Sequence, residues 1–441
     1  MLPKKIRIGC GAGFSGDRIE PAILLAEKGN LDYLVLECLA ERTIGLAQKR
    51  KLENPEKGYD PLLERRLTPL LPLIVANKIR LITNMGAANP LAAARKVVEI
   101  ARNLGLSLRV VAVTGDDVFE QLDPSSLAME TQQPLNASGE LISANAYIGV
   151  EGVLEALSLN PDVIITGRVA DPSLFLAPMM HEFGWKATDY DLLGKGTVIG
   201  HLLECAGQIA GGYFADPIKK PVPDMANLGH PFADVFVDGT AVISKVEGTG
   251  GLINLQTVKE QLLYEVINPS AYYTPDVIAD FTTVQLKEIA TNQVLVSGGG
   301  GNPKPETYKV SVGYKAFYLG EGEISYAGQN ALERATLAGE IMQERLQNRM
   351  NELRVDYVGV NSVHRTNFES TVIPYEVRLR IAGKANSAED AALIGEEVEA
   401  LYTNGPAGGG GVKKYVTEIV GIISVLMNRT SIIAQTTLFE S

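Results

Sequence analysis

Short apolar runs at 6–8, 33–36, 79–82, 108–113 and 163–165 alternate with longer segments in which apolar residues return every three or four positions. The short runs predict buried strands and the longer segments predict amphipathic helices. One such segment, PLAAARKVVEIARNLG, has Asn89 as a candidate N-cap, Pro90 at the first helical position and Gly105 as its stop. Strands that are apolar throughout and separated by helices predict a parallel sheet covered on both faces. The N-terminal part is therefore read as an α/β, Rossmann-like domain. Beyond Pro217 the pattern changes: ADVFVDGTAVISKVEGTGG alternates apolar and polar residues around the Asp238-Gly239 dipeptide, which predicts a hairpin. From Tyr308 on, the chain offers a strand pair in YKVSVGYKAFYLGEGEISYA, a helix over 330–353, strands in VDYVGVNSV and YEVRLRIAGKA, and a helix over 388–402. That is the order of a ferredoxin-like split βαβ, α+β unit. Two domains follow, an α/β domain over 1–217 and an α+β domain over 218–441.

In such sheets a ligand lies beyond the carboxyl ends of the strands, so the residues after each run carry the candidate chemistry. They are GCGAGFSGDR, ECLAERT, NMGAANP, TGDD and TGRVADP. Gly11, Gly13 and Gly16 fall on a GxGxxG spacing, and Glu37 ends the next apolar run about 20 residues on, as in a dinucleotide site. Pro21 argues against that reading, because a proline inside a helix costs about 3 kcal/mol but is tolerated in the first turn. The helix is expected to start near Glu20, leaving 9–18 as a long loop whose N–H groups, with Ser15 and Arg18, could wrap an anionic ligand. Asn84 stands just ahead of a helix start, a geometry that suits a carboxylate or phosphate; plain capping by Asn89 is the alternative. Asp116 and Asp117 could act as acid and base or bind Mg²⁺, or cap the next helix. Arg168 could grip an anionic substrate while Asp171 supplies a carboxylate, or the two could form an ion pair that locks the loop.

The stretch GHLLECAGQIAGGYFADP puts His201, Glu204 and Cys205 on one helical face. Together they could work as general acid and base or hold a metal, although the spacing matches no metal signature, or they could form a partly buried face. His181 and His230 are read as loop residues. His364, beside Arg365 and Asn367, could close the pocket from the second domain. The glycine runs at 297–303 and 404–414, the latter with Lys413 and Lys414, could hold a phosphate through successive N–H groups or serve as connecting loops.

Composition narrows the partners. The 441 residues are 46% hydrophobic, enough for real cores, and 40 basic against 52 acidic residues give a net charge of -12. Nucleic acid and anionic membranes are disfavoured, leaving a small organic, anionic ligand. Three cysteines, Cys10, Cys38 and Cys205, without CxxC spacing, fit a reducing cytoplasm better than a disulfide framework. The residues after Lys4 and Lys5 break too early for a secretory signal. The apolar stretch 419–427 is also shorter than the about 20 residues that a membrane span needs. A soluble, cytoplasmic homo-oligomer is expected.

GAGFSGDR, ECLAERT, TNMGAANP, the VTGDD strand exit, TGRVADPS, GHLLECAGQIAGGYFADP, the EGTGG turn, QLLYEV with YTPDV, and GPAGGGG stand in this order along nearly the whole chain. Together they resemble the acyclic terpene utilisation (AtuA) family. The resemblance implies a cytoplasmic, mostly bacterial protein whose namesake is associated with catabolism of citronellol- and geraniol-type terpenes through branched acyl-CoA intermediates. No catalytic residues come with it. Some relatives carry a further small C-terminal domain, which this chain, ending at LFES, is expected to lack.

The leading expectation is an enzyme acting on a branched, CoA-linked acid by hydration, dehydration or carbon-carbon lysis, with coenzyme A entering as part of the substrate. Such chemistry needs a base, donors for a developing enolate oxygen and an anion grip. Glu37, Asp117 and Asp171 are the carboxylate candidates, and His201 with Glu204 the alternative acid and base. The loop N–H groups around 11–16 and Asn84 are the donors, and Arg168 is the grip. A non-catalytic acyl-CoA-binding subunit and an NAD-dependent oxidoreductase are the alternatives.

Overall fold

In the computed structural model, which describes residues 4–364 and 374–441, each N-terminal apolar run forms a strand. The chain begins β1 (Lys5–Ala12), α1 (Glu20–Lys28), β2 (Tyr33–Leu36), α2 (Glu41–Glu53), α3 (Leu63–Asn77), β3 (Arg80–Thr83), α4 (Pro90–Asn103) and β4 (Arg109–Thr114). It continues through β5 (Glu140–Ala146), α5 (Glu151–Ser158), β6 (Val163–Thr166), α6 (Ser173–Phe183) and α7 (Tyr190–Glu204). Next come β7 (Pro231–Phe236), β8 (Ala241–Lys245), α8 (Leu255–Leu263), β9 (Tyr272–Tyr273), β10 (Ile278–Asp280), β11 (Gln285–Ala290), β12 (Gln293–Ser297) and β13 (Gly300–Asn302). The last elements are β14 (Thr307–Ala327), α9 (Ala331–Leu346), β15 (Glu352–Val358), β16 (Glu376–Ala385), α10 (Ala388–Asn404), β17 (Gly410–Asn428) and β18 (Gln435–Glu440). The α4 signals work as read: Asn89 accepts from the Ala92 N–H at 3.3 Å, and Gly105 takes a positive φ of 67° just past the end.

Residues up to Leu135, Ile142–Gly313 and Ile422–Ser441 make one compact unit; Asn136–Leu141 and Tyr314–Gly421 make another. In the larger unit, among the described residues, ten strands form a mixed sheet in the order β11-β12-β8-β7-β1-β2-β3-β6-β4-β18. The run β1-β2-β3-β6-β4 is parallel. Antiparallel β7 and β18 close its two sides. Leu34, Leu36, Leu81, Val110, Val163 and Ile165 pack with α1, α3 and α4 into one core. The intervening Val35, Ile82, Val111 and Ile164 are equally buried, so both faces of these strands are covered.

Two expectations change here. A dinucleotide-binding sheet places parallel strands on both sides of its first strand. Here antiparallel β7 holds that edge of β1, with Ile8 opposite Ala233, so the order is not the Rossmann one. For the same reason residues 218–313, expected with the second domain, belong to the larger unit. Alternation marks β7 and β8 as a hairpin, with Gly239 at a φ of 79°, but does not say which sheet edge the hairpin will join.

In the smaller unit the sheet order is β15-β16-β14-β17, with β16 antiparallel to β15 and β14. The segment expected as a strand pair is one strand of 21 residues. Gly320 and Gly322 are not turn residues: a Cβ at either would collide with α10, at Ala391 and Val398. They let helix and strand approach closely. Ile324, Tyr326, Leu379, Ile381, Ala335 and Ile394 anchor this unit's core. Within 297–303, Gly301 is explained in the same way, since a Cβ there would stand 2.5 Å from the Tyr190 carbonyl oxygen of α7, while Gly298 and Gly299 take positive φ.

Candidate functional site

The loop after β1 is held from behind. α1 starts at Glu20 with Pro21 in its first turn, as the proline predicts, but the loop expected over 9–18 is shorter: 9–12 belong to β1, which leaves 13–18. Gly11 lies within β1, where a Cβ would meet Leu36 and Ala22. Gly13 presses on the backbone of Cys205, and a Cβ there would stand 2.5 Å from its carbonyl carbon. Replacing Gly13 with alanine is expected to lower stability by about 1–3 kcal/mol through overpacking. An unchanged urea midpoint would show that the loop does not depend on this approach. The Gly13 N–H donates to Asp17 Oδ2 at 2.9 Å, and Gly16 is exposed beside the Phe14 ring. Ser15, Asp17 and Arg18 turn their carbonyls inward to Arg66, a fully buried guanidinium of α3, at 3.0, 2.8 and 3.3 Å. Arg18 itself donates to the Met225 and Ala226 carbonyls. His230 is a loop residue as expected, whereas His181 lies within α6; His230 is buried and packs under the first loop. Its Nδ1 donates to the Gly11 carbonyl at 3.2 Å, and its Nε2 stands 3.8 Å from Asp17 Oδ1.

The other four strand exits are tied together by their own side chains. Buried Asn84, after β3, accepts from the Cys38 N–H at 2.7 Å and donates to Glu37 Oε1 at 2.8 Å. Glu37 Oε1 also accepts from the Leu39 N–H. Burial raises the Glu37 carboxyl well above the usual range and the Asp171 charge adds to this, against Arg168 and the Asn84 bond. Arg168, 1% exposed, donates to the Leu39 carbonyl, pairs with Asp171 at 2.5 Å and lies 4.1 Å from the Tyr147 ring centroid. Its backbone N–H donates to Asp116 Oδ2 at 2.9 Å. The ion pair is thus what forms, which weighs against Arg168 as an anion grip: both terminal nitrogens are bonded inside the protein, and Nε is buried without a partner among the described residues. Burial also raises Asp171, with Arg168 opposing, although a third of its side chain still meets water. Asn84 is likewise committed, both amide atoms being bonded. Asp117 caps Phe119 and pairs with Lys51 at 3.3 Å on the protein surface, joined through Gln48 and Asn145 to Asp116.

His201 and Glu204 do share the buried face of α7. His201 Nδ1 lies 2.9 Å from Glu204 Oε1, and its Nε2 donates to the Gln261 carbonyl at 3.0 Å. Since a carbonyl only accepts, Nε2 keeps its proton, and one further proton is left for Nδ1 and Oε1 to share. Glu204 Oε2 is buried without a partner among the described residues. Burial pushes this carboxyl up to about 7, against the bond from His201. Tyr272 and Phe281 lie beside the imidazole, with ring centroids at 5.4 and 5.5 Å. Burial and the Glu204 charge raise the Cys205 thiol, so it is not poised as a thiolate nucleophile. Among the described residues no group of three or more His, Cys, Asp or Glu is arranged to hold a metal.

A cavity of about 450 Å3 opens at Cys205, the residue that follows Glu204; neither His201 nor Glu204 is on its wall. Gly13, Asp17, Cys205 and His230 form polar parts of its wall; Phe14, Tyr213, Met225 and Tyr264 supply apolar surface. Phe14 and Tyr213 are 60% and 90% exposed. Tyr147, Arg66, Gln261, Tyr272 and the role of His230 escape a sequence reading, because only the fold brings them to the strand ends. His364 lies in the smaller unit and is exposed; Arg365 and Asn367 fall outside the described residues.

The profile of the acyclic terpene utilisation family protein AtuA matches residues 6–438. The chain belongs to this family. No curated protein and no solved structure matches it. Membership ties this AtuA-family chain to acyclic terpene utilisation. Among its described residues no helix is long and apolar enough to cross a membrane.

Proposed function

We propose that this AtuA-family protein is an enzyme of acyclic terpene or branched-acid catabolism that moves a proton on a branched acyl-CoA or related carboxylate, in hydratase- or lyase-type chemistry. The observation that carries the reading is Glu204: a carboxyl raised to about 7, with one oxygen on His201 and the other unpartnered. A general acid or base works best with a pKa near the working pH, and a structural carboxylate gains nothing from such an arrangement. Glu204 takes or gives the proton. His201 is its positioning residue, holding Oε1 so that Oε2 is left for the reacting group. Glu37 and Asp171 are two further carboxyls, the charge of Asp171 raising Glu37. The cavity beside Cys205 takes the branched chain against Phe14, Tyr213 and Met225. The smaller unit we read as ferredoxin-like on its strand order, and the whole as a cytoplasmic homo-oligomer.

Glu37→Gln, Asp171→Asn and His201→Asn, made one at a time, are expected to collapse turnover while branched acyl-CoA still raises the melting temperature. Full turnover in all three would sink these roles. A non-catalytic acyl-CoA-binding subunit would need the cavity but no carboxyl held near neutrality. An oxidoreductase would need NAD(H) to raise the melting temperature. We expect no such rise, because Gly11 lies inside β1 and the Gly13 N–H is spent on Asp17.

A further inference from the structure

Arginines near the strand ends are almost all consumed by the protein. Arg168 is held by Asp171 and the Leu39 carbonyl, Arg66 by three loop carbonyls, and Arg18 by two more. Arg50 differs. It sits in the last turn of α2, half-buried, and its guanidinium makes no hydrogen bond or ion pair among the described residues. Burial pulls its pKa down, with only the more distant charges of Asp60 and Glu53 in opposition. A half-buried guanidinium with no fixed acceptor is costly unless something else supplies one.

Arg50 lines a cavity of about 170 Å3, shared with Ser15 of the first loop, Thr43 and Leu46 of α2, and Asp60. Thr43 is spent on capping α2, donating to the Ala40 carbonyl and accepting the Ala40 N–H. Asp60 is 5% exposed; it accepts the Leu62 N–H at 2.7 Å and a bond from the Ser15 hydroxyl. The cavity therefore offers a guanidinium with no fixed hydrogen-bond acceptor beside a buried carboxyl that still accepts hydrogen bonds.

We propose that this cavity is a small-molecule site for a short hydroxy-carboxylate, its carboxylate received by Arg50 and its hydroxyl donating to Asp60. The two wall groups choose between anions. A planar carboxylate matches the guanidinium fork. A phosphate dianion would set a second negative charge against Asp60. A carboxylate oxygen carries two lone pairs, so Asp60 can accept the hydroxyl in addition to its bonds from Leu62 and Ser15. The site does not require Glu204 to be catalytic, and its test reads binding alone.

Glycolate, acetate and inorganic phosphate are titrated by calorimetry into the full chain, with Arg50→Gln, Asp60→Asn and Leu46→Phe alongside, each first checked for an unchanged circular dichroism spectrum and melting temperature. Glycolate is expected to bind more tightly than acetate, and phosphate more weakly than either. R50Q should weaken glycolate at least about tenfold, as loss of a charge-assisted fork does. D60N should remove the preference for glycolate over acetate, and L46F, which fills the cavity without altering its charge, should abolish both. Absence of glycolate binding, unaltered glycolate affinity in R50Q or L46F, or tightest binding by phosphate would overturn the proposal.

Discussion

Glu204→Gln is expected to make the protein more stable and inactive at once. The folded state holds this carboxyl at about 7 against an ordinary 4.5, because burial penalises the charged form. The sign follows from linkage: a group raised on folding contributes stability that is fully present below its unfolded value and lost as pH rises through its folded value. The raised carboxyl therefore costs about 3 kcal/mol above pH 7 and nothing below about pH 4. The amide of glutamine carries no charge to desolvate and can donate to His201 Nδ1, whose partner nitrogen is already fixed on the Gln261 carbonyl. Melting at pH 8 should rise in E204Q, and the difference should vanish as the pH falls toward 4. Asp276, raised by burial to about 6, keeps the same slope in both proteins and serves as the internal reference. Turnover should fall about 100- to 10,000-fold, the usual worth of a positioned acid or base. A variant less stable than the parent at pH 8 would show that Glu204 is a structural partner of His201.

Arg66→Met should have the largest effect on stability. Arg66 is fully buried in α3 and receives no carboxylate bond; its charge is met by the Ser15, Asp17 and Arg18 carbonyls. Methionine matches the length of the side chain but leaves those carbonyls without their donor. Removing one side of a buried charged arrangement costs about 3–5 kcal/mol. Urea unfolding should show a midpoint shift of that size, with loss of acyl-CoA-dependent melting because the first loop is no longer held. A midpoint equal to the parent's would mean that the loop carbonyls find other donors.

Much of this architecture is legible in the residues. The five apolar runs, the Asn89–Gly105 helix signals and the delayed start of α1 at Pro21 are local consequences of burial periodicity and backbone chemistry, and local signals survive folding. The edge that β7 joins is not local. Nothing in ADVFVDGTAV states that it will lie against β1, so the boundary at 217 and the Rossmann order both fail at that one pairing. At the site the residue types are legible and their availability is not. Arg168 and Asn84 have the right groups at the right strand ends, yet both are spent inside the protein, on Asp171 and Glu37. Arg50 and His230 gave no sequence signal, one being an ordinary helix residue and the other preceding a proline. Whether a guanidinium or imidazole is free depends on what the fold brings beside it.

The central claim, that Glu204 moves a proton on a branched acyl substrate, is tested most directly by hydrogen exchange. The protein is incubated in deuterium oxide with branched-chain acyl-CoAs and the corresponding free acids, and deuterium at the carbon next to the carbonyl is followed by mass spectrometry. The account predicts protein-dependent incorporation that E204Q loses while acyl-CoA still raises its melting temperature. Binding of the acyl-CoA without incorporation in the parent protein, or undiminished incorporation in E204Q, would contradict it.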